Sequence, residues 1–170
     1  MNIMAYIDLL QYTLDGTLTG VLYAVIAIAF IVVYRAGRIL NFAQGEVIIF
    51  MAYIIWTLIA LAKLPIWAVI PLSLVVAMIL GLVIERGIFR PLIGQPIWAI
   101  VMVTIGLMIL IQGITQVIWG GGERPFPLIF PQSPVKIGPL LFTSSIFWGG
   151  LISLFIVLGL TLVFEKTRWG

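Results

Sequence analysis

The chain has 170 residues, 63% of them apolar and 9% charged, with a formal net charge of +3 and a mean hydropathy of +1.26. Soluble domains carry roughly 45–50% apolar and about 25% charged residues, so this composition excludes an ordinary water-soluble fold and indicates an integral membrane protein. Cysteine and histidine are both absent, which excludes a disulfide framework, a thiol nucleophile and a His/Cys metal site; nothing in the charge pattern suggests a nucleic-acid partner.

In chain order, residues 1–14 place Met1, Met4, Ile7, Leu10 and Leu14 at helical spacing with Asp8 and Gln11 beside them. That pattern suits a short interfacial helix or, equally, a frayed apolar terminus. The start lacks the basic residues of a cleavable signal peptide, so the first retained span is expected to do the targeting. About 20 mostly apolar residues cross a bilayer core. Residues 16–34 are uncharged and end at Arg35 and Arg38, giving a first span. Residues 39–62 hold one charge, Glu46, and end at Lys63; residues 64–84 end at Glu85-Arg86. After a basic loop at 85–96, bracketed by Pro91 and Pro96, residues 96–119 form a fourth span. Segment 120–143 contains Pro125, Pro127, Pro131, Pro134 and Pro139, cannot continue a helix, and is expected to form an extended cap. Residues 144–164 complete an all-α, polytopic membrane protein of about five transmembrane helices.

Basic residues orient it. Arg35, Arg38, Arg86, Arg90, Lys166 and Arg168 fall on one side, and Lys63, Arg124 and Lys136 on the other. The richer side is cytoplasmic, which puts the N-terminus outside, the C-terminus in the cytoplasm, loop 85–96 inside and loop 120–143 outside. Trp67, Trp98, Trp119, Trp148 and Trp169 sit near span ends, where amphipathic rings prefer the interface; Trp56 lies within a span and reads as a packing residue.

Three intramembrane patterns are unusual. Gly16, Gly20 and Ala24 recur every four residues, with Ala27 near the same face, and read as a close helix–helix seam or, with Thr17 and Thr19, as part of a path. Asn41, Gln44 and Gly45 share a helical face with Glu46 beside it. Polar groups in a span are costly unless paired, so this is either a cytoplasmic-end cap with Glu46 paired to Arg35 or Arg38, or a substrate path or gate. In the fourth span Thr104, Met108, Gln112 and Gln116 recur every four residues with Thr115 adjacent, while Gly106 and Gly113 mark a small face. Inter-helix hydrogen bonding is the favoured account of the stripe; a cavity lining for a small zwitterionic or neutral solute is the alternative. No HExxH, partnered GxSxG or GxxxxGK[ST] motif occurs, and Gly120-Gly121-Gly122 runs into Glu123-Arg124 as a turn. No enzyme activity and no cofactor are expected, and uphill transport would require nucleotide hydrolysis on another chain.

These residues carry a family resemblance. Asp15-Gly16-x-x-x-Gly20-x-x-Tyr23-Ala24, Arg38-Ile39-Leu40-Asn41-Phe42-Ala43-Gln44-Gly45-Glu46, and Glu85-Arg86 with Arg90-Pro91-Leu92, Gly94 and Thr104-Ile105-Gly106 together resemble the permease subunit of branched-chain amino-acid ABC transporters, from about residue 15 to the end. Two departures stand out. The family's usual histidine in the Asn-Phe-Ala-His-Gly-Glu segment is Gln44 here, which keeps a polar group and removes a titratable one. The chain also ends at Lys166-Thr167-Arg168-Trp169-Gly170, where the family continues into its ATPase-docking loop.

The resemblance implies a single transmembrane permease domain over 1–170, the N-terminal half of an inner-membrane importer subunit for branched-chain or related amino acids. Its partners would be membrane lipid, a second permease subunit, cytoplasmic ATPase subunits and a periplasmic solute-binding protein. The substrate path is expected near Asn41, Gln44, Glu46, Thr104 and Gln112, and helix packing at Gly16, Gly20, Ala24, Gly45, Gly106 and Gly113. The competing expectations are a urea or amide permease of the same family, a non-transporting membrane scaffold, and a passive channel.

Overall fold

The computed structural model describes residues 3–122, 124–126, 133, 135–137 and 140–166. The helices are α1 (Ile3–Gly37), α2 (Gln44–Ala60), α3 (Ile66–Ile84), α4 (Ile97–Trp119) and α5 (Ser144–Lys166). Two three-residue strands, β1 (Val135–Ile137) and β2 (Leu140–Phe142), pair antiparallel, with Val135 opposite Phe142. Apart from that ribbon the described residues are helical and irregular, and the protein is an all-α polytopic membrane protein. Among the described residues four helical stretches are long and apolar enough to cross a membrane, Leu9–Arg35, Ile66–Leu92, Ile97–Trp119 and Ser144–Leu162, and α2 is a shorter apolar helix.

Local chemistry sets the boundaries. Pro65 and Pro96 hold extended backbone (ψ 147° and 148°) at the N-caps of α3 and α4, where a missing N–H costs nothing. Gly120, with φ of 84°, ends α4 in a conformation open to residues without a Cβ. α1 and α2 end differently. Arg38 (φ 52°) and Lys63 (φ 50°) take the left-handed turn just beyond them, and their positive charges suit a helix C-terminus. α1 is continuous over 35 residues, about 52 Å at 1.5 Å per residue, so residues 3–14 form its first turns without a break at Gly16. α2, with 17 residues, spans about 26 Å, near the lower limit for a crossing. Beyond α3 the helix relaxes into a π turn (Glu85–Phe89) and a 3-10 turn (Arg90–Leu92). The basic loop is therefore helical for its first part, with Glu85 and Arg90 in an exposed ion pair at 3.8 Å.

The chain forms two compact units, residues 1–29 with 128–170, and residues 30–127. In the second, α2 packs against α3 and α4. Ala43, Ile84, Leu107 and Ile111 make its buried centre, with Val47, Phe50 and Phe89 packed around it. The start of α2 thus meets the end of α3, while its last turns meet the end of α4 through a hydrogen bond from Trp119 Nε1 to Thr57 Oγ1. α2 and α4 run in the same direction, and α3 runs against them.

In the first unit, α5 approaches α1 at Gly149 and Gly150. A Cβ built on Gly150 would lie 2.8 Å from Leu18 Cδ2 and 3.1 Å from Leu18 Cβ. Gln11 Nε2 donates to Leu141 O at 2.9 Å, and Ser144 Oγ donates to Ser133 O. These bonds tie β2 to α1 and the first turn of α5 to the segment before β1.

Candidate functional site

Among the described residues of 30–127, the polar side chains that the fold buries are Asn41, Gln44, Thr104 and Thr115. Their surroundings differ. Asn41 lies in the turn before α2, where its Oδ1 accepts the Ala43 N–H at 3.1 Å and the Gln44 N–H donates to Asn41 O. This Asx turn satisfies an amide at a fully buried residue. It also explains why the helix starts at Gln44 and not at residue 39: the side chain offers the backbone an alternative partner, and Arg38 has already reversed the chain. Asn41 therefore does not share a helical face with Gln44 and Gly45, as the spacing had implied.

Gln44 opens α2 directly after the core residue Ala43. It is 8% exposed, and its Oε1 is buried without a hydrogen-bond partner. A buried acceptor left unmade costs about 1–3 kcal/mol, so the position is energetically unfinished in this chain. Glu46 is half-buried on the first turn of α2, where a carboxylate favours the helix N-terminus. No ion pair between Glu46 and Arg35 or Arg38 forms among the described residues, whose one salt bridge is that between Arg90 and Glu85.

On α4 the buried set is Thr104, Leu107, Ile111 and Thr115. Thr104 is fully buried and donates to Val101 O; Thr115 donates to Ile111 O. Both hydroxyl protons are used within the helix. Gln112 and Gln116 are exposed. A helix advances 100° per residue, so a four-residue repeat drifts: Gln112 points about 80° and Gln116 about 120° away from Thr104, whereas Thr115 returns to within about 20°. The expected stripe thus splits between two faces, with Thr104 in the packed one and Gln112 on the open one.

The small residues sort similarly. A Cβ at Gly16, Gly20, Gly45, Gly106 or Gly113 meets nothing within 4 Å, and Ala24 is half-buried. Thr17 and Thr19 donate to Thr13 O and Asp15 O, so their hydroxyl protons stay within α1. Among the described glycines the close approach is at Gly150, against Leu18, a position the four-residue spacing did not single out.

A second cluster, at the opposite end of α2 and α4, was not legible as a site in the sequence. Trp119 stacks on Tyr53 (centroids 5.3 Å apart, 25° between planes) and meets Phe50 edge-on. Trp56 Nε1 donates to Pro125 O at 3.1 Å. The Arg124 guanidinium lies 5.0 Å from the Trp56 ring centre, while its Nε and Nη2 donate to Trp119 O. An open cavity of about 180 Å³ lies here, lined by Ile49, Ala52, Tyr53, Trp56, Arg124 and Phe126. The available signal was Trp119 at the end of one span with an arginine just past it, and Trp56 within another.

Over residues 12–170 the sequence matches the family described as branched-chain amino acid transport system, permease component. It is similar to the high-affinity branched-chain amino acid transport system permease protein BraD of Pseudomonas aeruginosa, 31% identical over 179 residues that cover 95% of this chain and 56% of that protein. The permease proteins LivH of Escherichia coli and Salmonella typhimurium are 27% and 25% identical, each over 97% of this chain and 58% of their own length. The chain thus spans a little over half the length of the curated relatives it matches. No solved structure matches it.

Proposed function

This chain belongs to the family of branched-chain amino acid transport system permease components, and from that membership we propose that it supplies the front part of a membrane path for branched-chain amino acids in an ABC importer of the inner membrane. The family is one of transport components, not enzymes. ATP hydrolysis therefore falls to separate cytoplasmic subunits, with a second permease subunit and a periplasmic solute-binding protein completing the assembly. The names of the relatives favour branched-chain amino acids over urea or another amide.

The orientation follows from charge. Arg35, Arg38, Arg86 and Arg90 belong to the end where α2 begins and α3 finishes, and Lys63 and Arg124 to the opposite end. The richer end is cytoplasmic, with the N-terminus outside.

The observation that carries the site is the unpaired, buried Gln44 Oε1. An acceptor the fold does not satisfy is available to a donor arriving from elsewhere, and the α-ammonium of an amino acid is such a donor. Glu46, two residues on and half-buried in the first turn of α2, adds a negative charge at this end of the path on a different face of the helix. Asn41 holds the turn that presents Gln44. Thr104, one turn before the core residue Leu107, continues the proposed path on α4; Gln112, about 80° round on the open face, lies outside it. The test is uptake of labelled leucine, isoleucine and valine by cells that lack this gene and receive it back, unaltered or as Gln44→Leu. The unaltered gene restores uptake, and the variant, present in the membrane at equal amount, lowers it at least tenfold. Equal uptake with the variant overturns the role of Gln44; no restoration by either overturns the transport function.

A further inference from the structure

We propose that the Trp56–Trp119–Arg124 end of α2 and α4 is a binding site for an anionic phospholipid, with the phosphate on Arg124 and an acyl chain along α2. Most of the cluster's polar groups are already engaged. The Trp56 indole N–H is given to Pro125 O and that of Trp119 to Thr57 Oγ1, while Trp119 O receives Arg124 Nε and Nη2. These bonds fix the guanidinium plane against the Trp56 ring and leave both Nη1 hydrogens without a partner among the described residues. No described carboxylate pairs with Arg124. The result is a positioned cation whose open edge suits a phosphate, the anion that guanidinium geometry matches best along with carboxylate.

The surroundings decide which anion. The rest of the cavity lining is apolar or aromatic: Ile49, Ala52, Tyr53 and Phe126. Ile49, Ala52, Tyr53 and Trp56 recur at three- and four-residue spacing along α2, so the apolar track leads from the cation toward the middle of the helix. Ile49 and Phe126 are each 46% exposed. A free amino acid would need an anionic partner for its ammonium group, and the described lining holds no carboxylate. A phospholipid needs only what is present: one cation at headgroup depth, tryptophans at the interface, and an apolar track below. The cavity, open and about 180 Å³, takes a headgroup while the chains stay outside it.

The test uses the protein purified from its native membranes, stripped of lipid and offered phosphatidylglycerol or phosphatidylcholine of identical chains, with retained lipid counted by native mass spectrometry. Phosphatidylglycerol is retained at least fivefold more than phosphatidylcholine. That preference falls to near unity in Arg124→Gln and persists in Lys63→Gln, which removes a charge past the end of α2. Excess inorganic phosphate does not displace the lipid. In the unaltered protein phosphatidylglycerol also raises the melting temperature more than phosphatidylcholine, a readout independent of whether the variant folds. Equal retention of the two lipids, a preference that survives Arg124→Gln, equal loss in Lys63→Gln, or displacement by phosphate alone each overturns the assignment.

Discussion

Trp119 Nε1 donates to Thr57 Oγ1 at 2.8 Å, joining the last turn of α4 to the last turn of α2 across 62 residues of sequence. Thr57 passes its own proton to Tyr53 O, so the hydroxyl both donates and accepts. Inter-helix hydrogen bonds of this type in membranes contribute about 0.6 kcal/mol on average. The larger effect is packing, since the same indole stacks on Tyr53 and meets Phe50 edge-on. Trp119→Phe is therefore expected to cost under about 1 kcal/mol, and Trp119→Ala about 2–3 kcal/mol, below the roughly 3–5 kcal/mol of a fully buried tryptophan. Thermal melting in detergent, followed by near-ultraviolet circular dichroism, checks the order.

Gly150 and the glycines of α1 make opposite predictions. A methyl at Gly150 meets Leu18 Cδ2 at 2.8 Å and the less movable Leu18 Cβ at 3.1 Å, so Gly150→Ala is expected to destabilise by about 1–3 kcal/mol through overpacking. Gly16→Ala and Gly20→Ala meet nothing and replace a poor helix former by the best one, for a gain of up to about 1 kcal/mol each. The same melting assay on the three variants separates them.

Gln44→Leu is expected to leave the fold intact or stabilise it by about 1 kcal/mol, because it removes a buried acceptor that has no donor and keeps an apolar side chain of similar size. Paired with the predicted loss of uptake, a raised or unchanged melting temperature marks a residue held for function and not for stability. A melting temperature lowered by several degrees would assign Gln44 a structural role instead.

Asn41→Ala is expected to cost about 1–2 kcal/mol, the usual loss for a capping side chain, because the Ala43 N–H it satisfies lies at a fully buried residue. Hydrogen exchange at Ala43 and Gln44 should rise in the variant; unchanged exchange there would mean that the turn does not depend on the side chain.

Much of the helical order was legible because prolines punctuate it. Pro65 and Pro96 stand at the N-caps of α3 and α4, within two residues of the boundaries that charge and proline spacing implied. The start of α2 was less legible. Its apolar run begins at Ile39, but the Asx turn at Asn41 and the left-handed Arg38 delay the helix to Gln44. The α4 stripe was misjudged in part because a four-residue repeat looks like one face and drifts off it, leaving Gln112 open while Thr104 is packed. Long-range partners carried no local signal at all. Nothing near Trp56 announces Pro125, 69 residues on, and nothing near Gly150 announces Leu18. Such contacts depend on how helices are placed side by side, which apolar composition in a membrane leaves open.

The most direct measurement is solute uptake by vesicles reconstituted with this protein and the partners that co-purify with it from native membranes, with and without ATP on the cytoplasmic side. An importer permease predicts uptake of labelled leucine that requires ATP and the solute-binding partner, and that falls at least tenfold in Gln44→Leu. Leucine entry that proceeds equally without ATP would contradict it and establish a passive channel, and no entry under any condition would establish a scaffold.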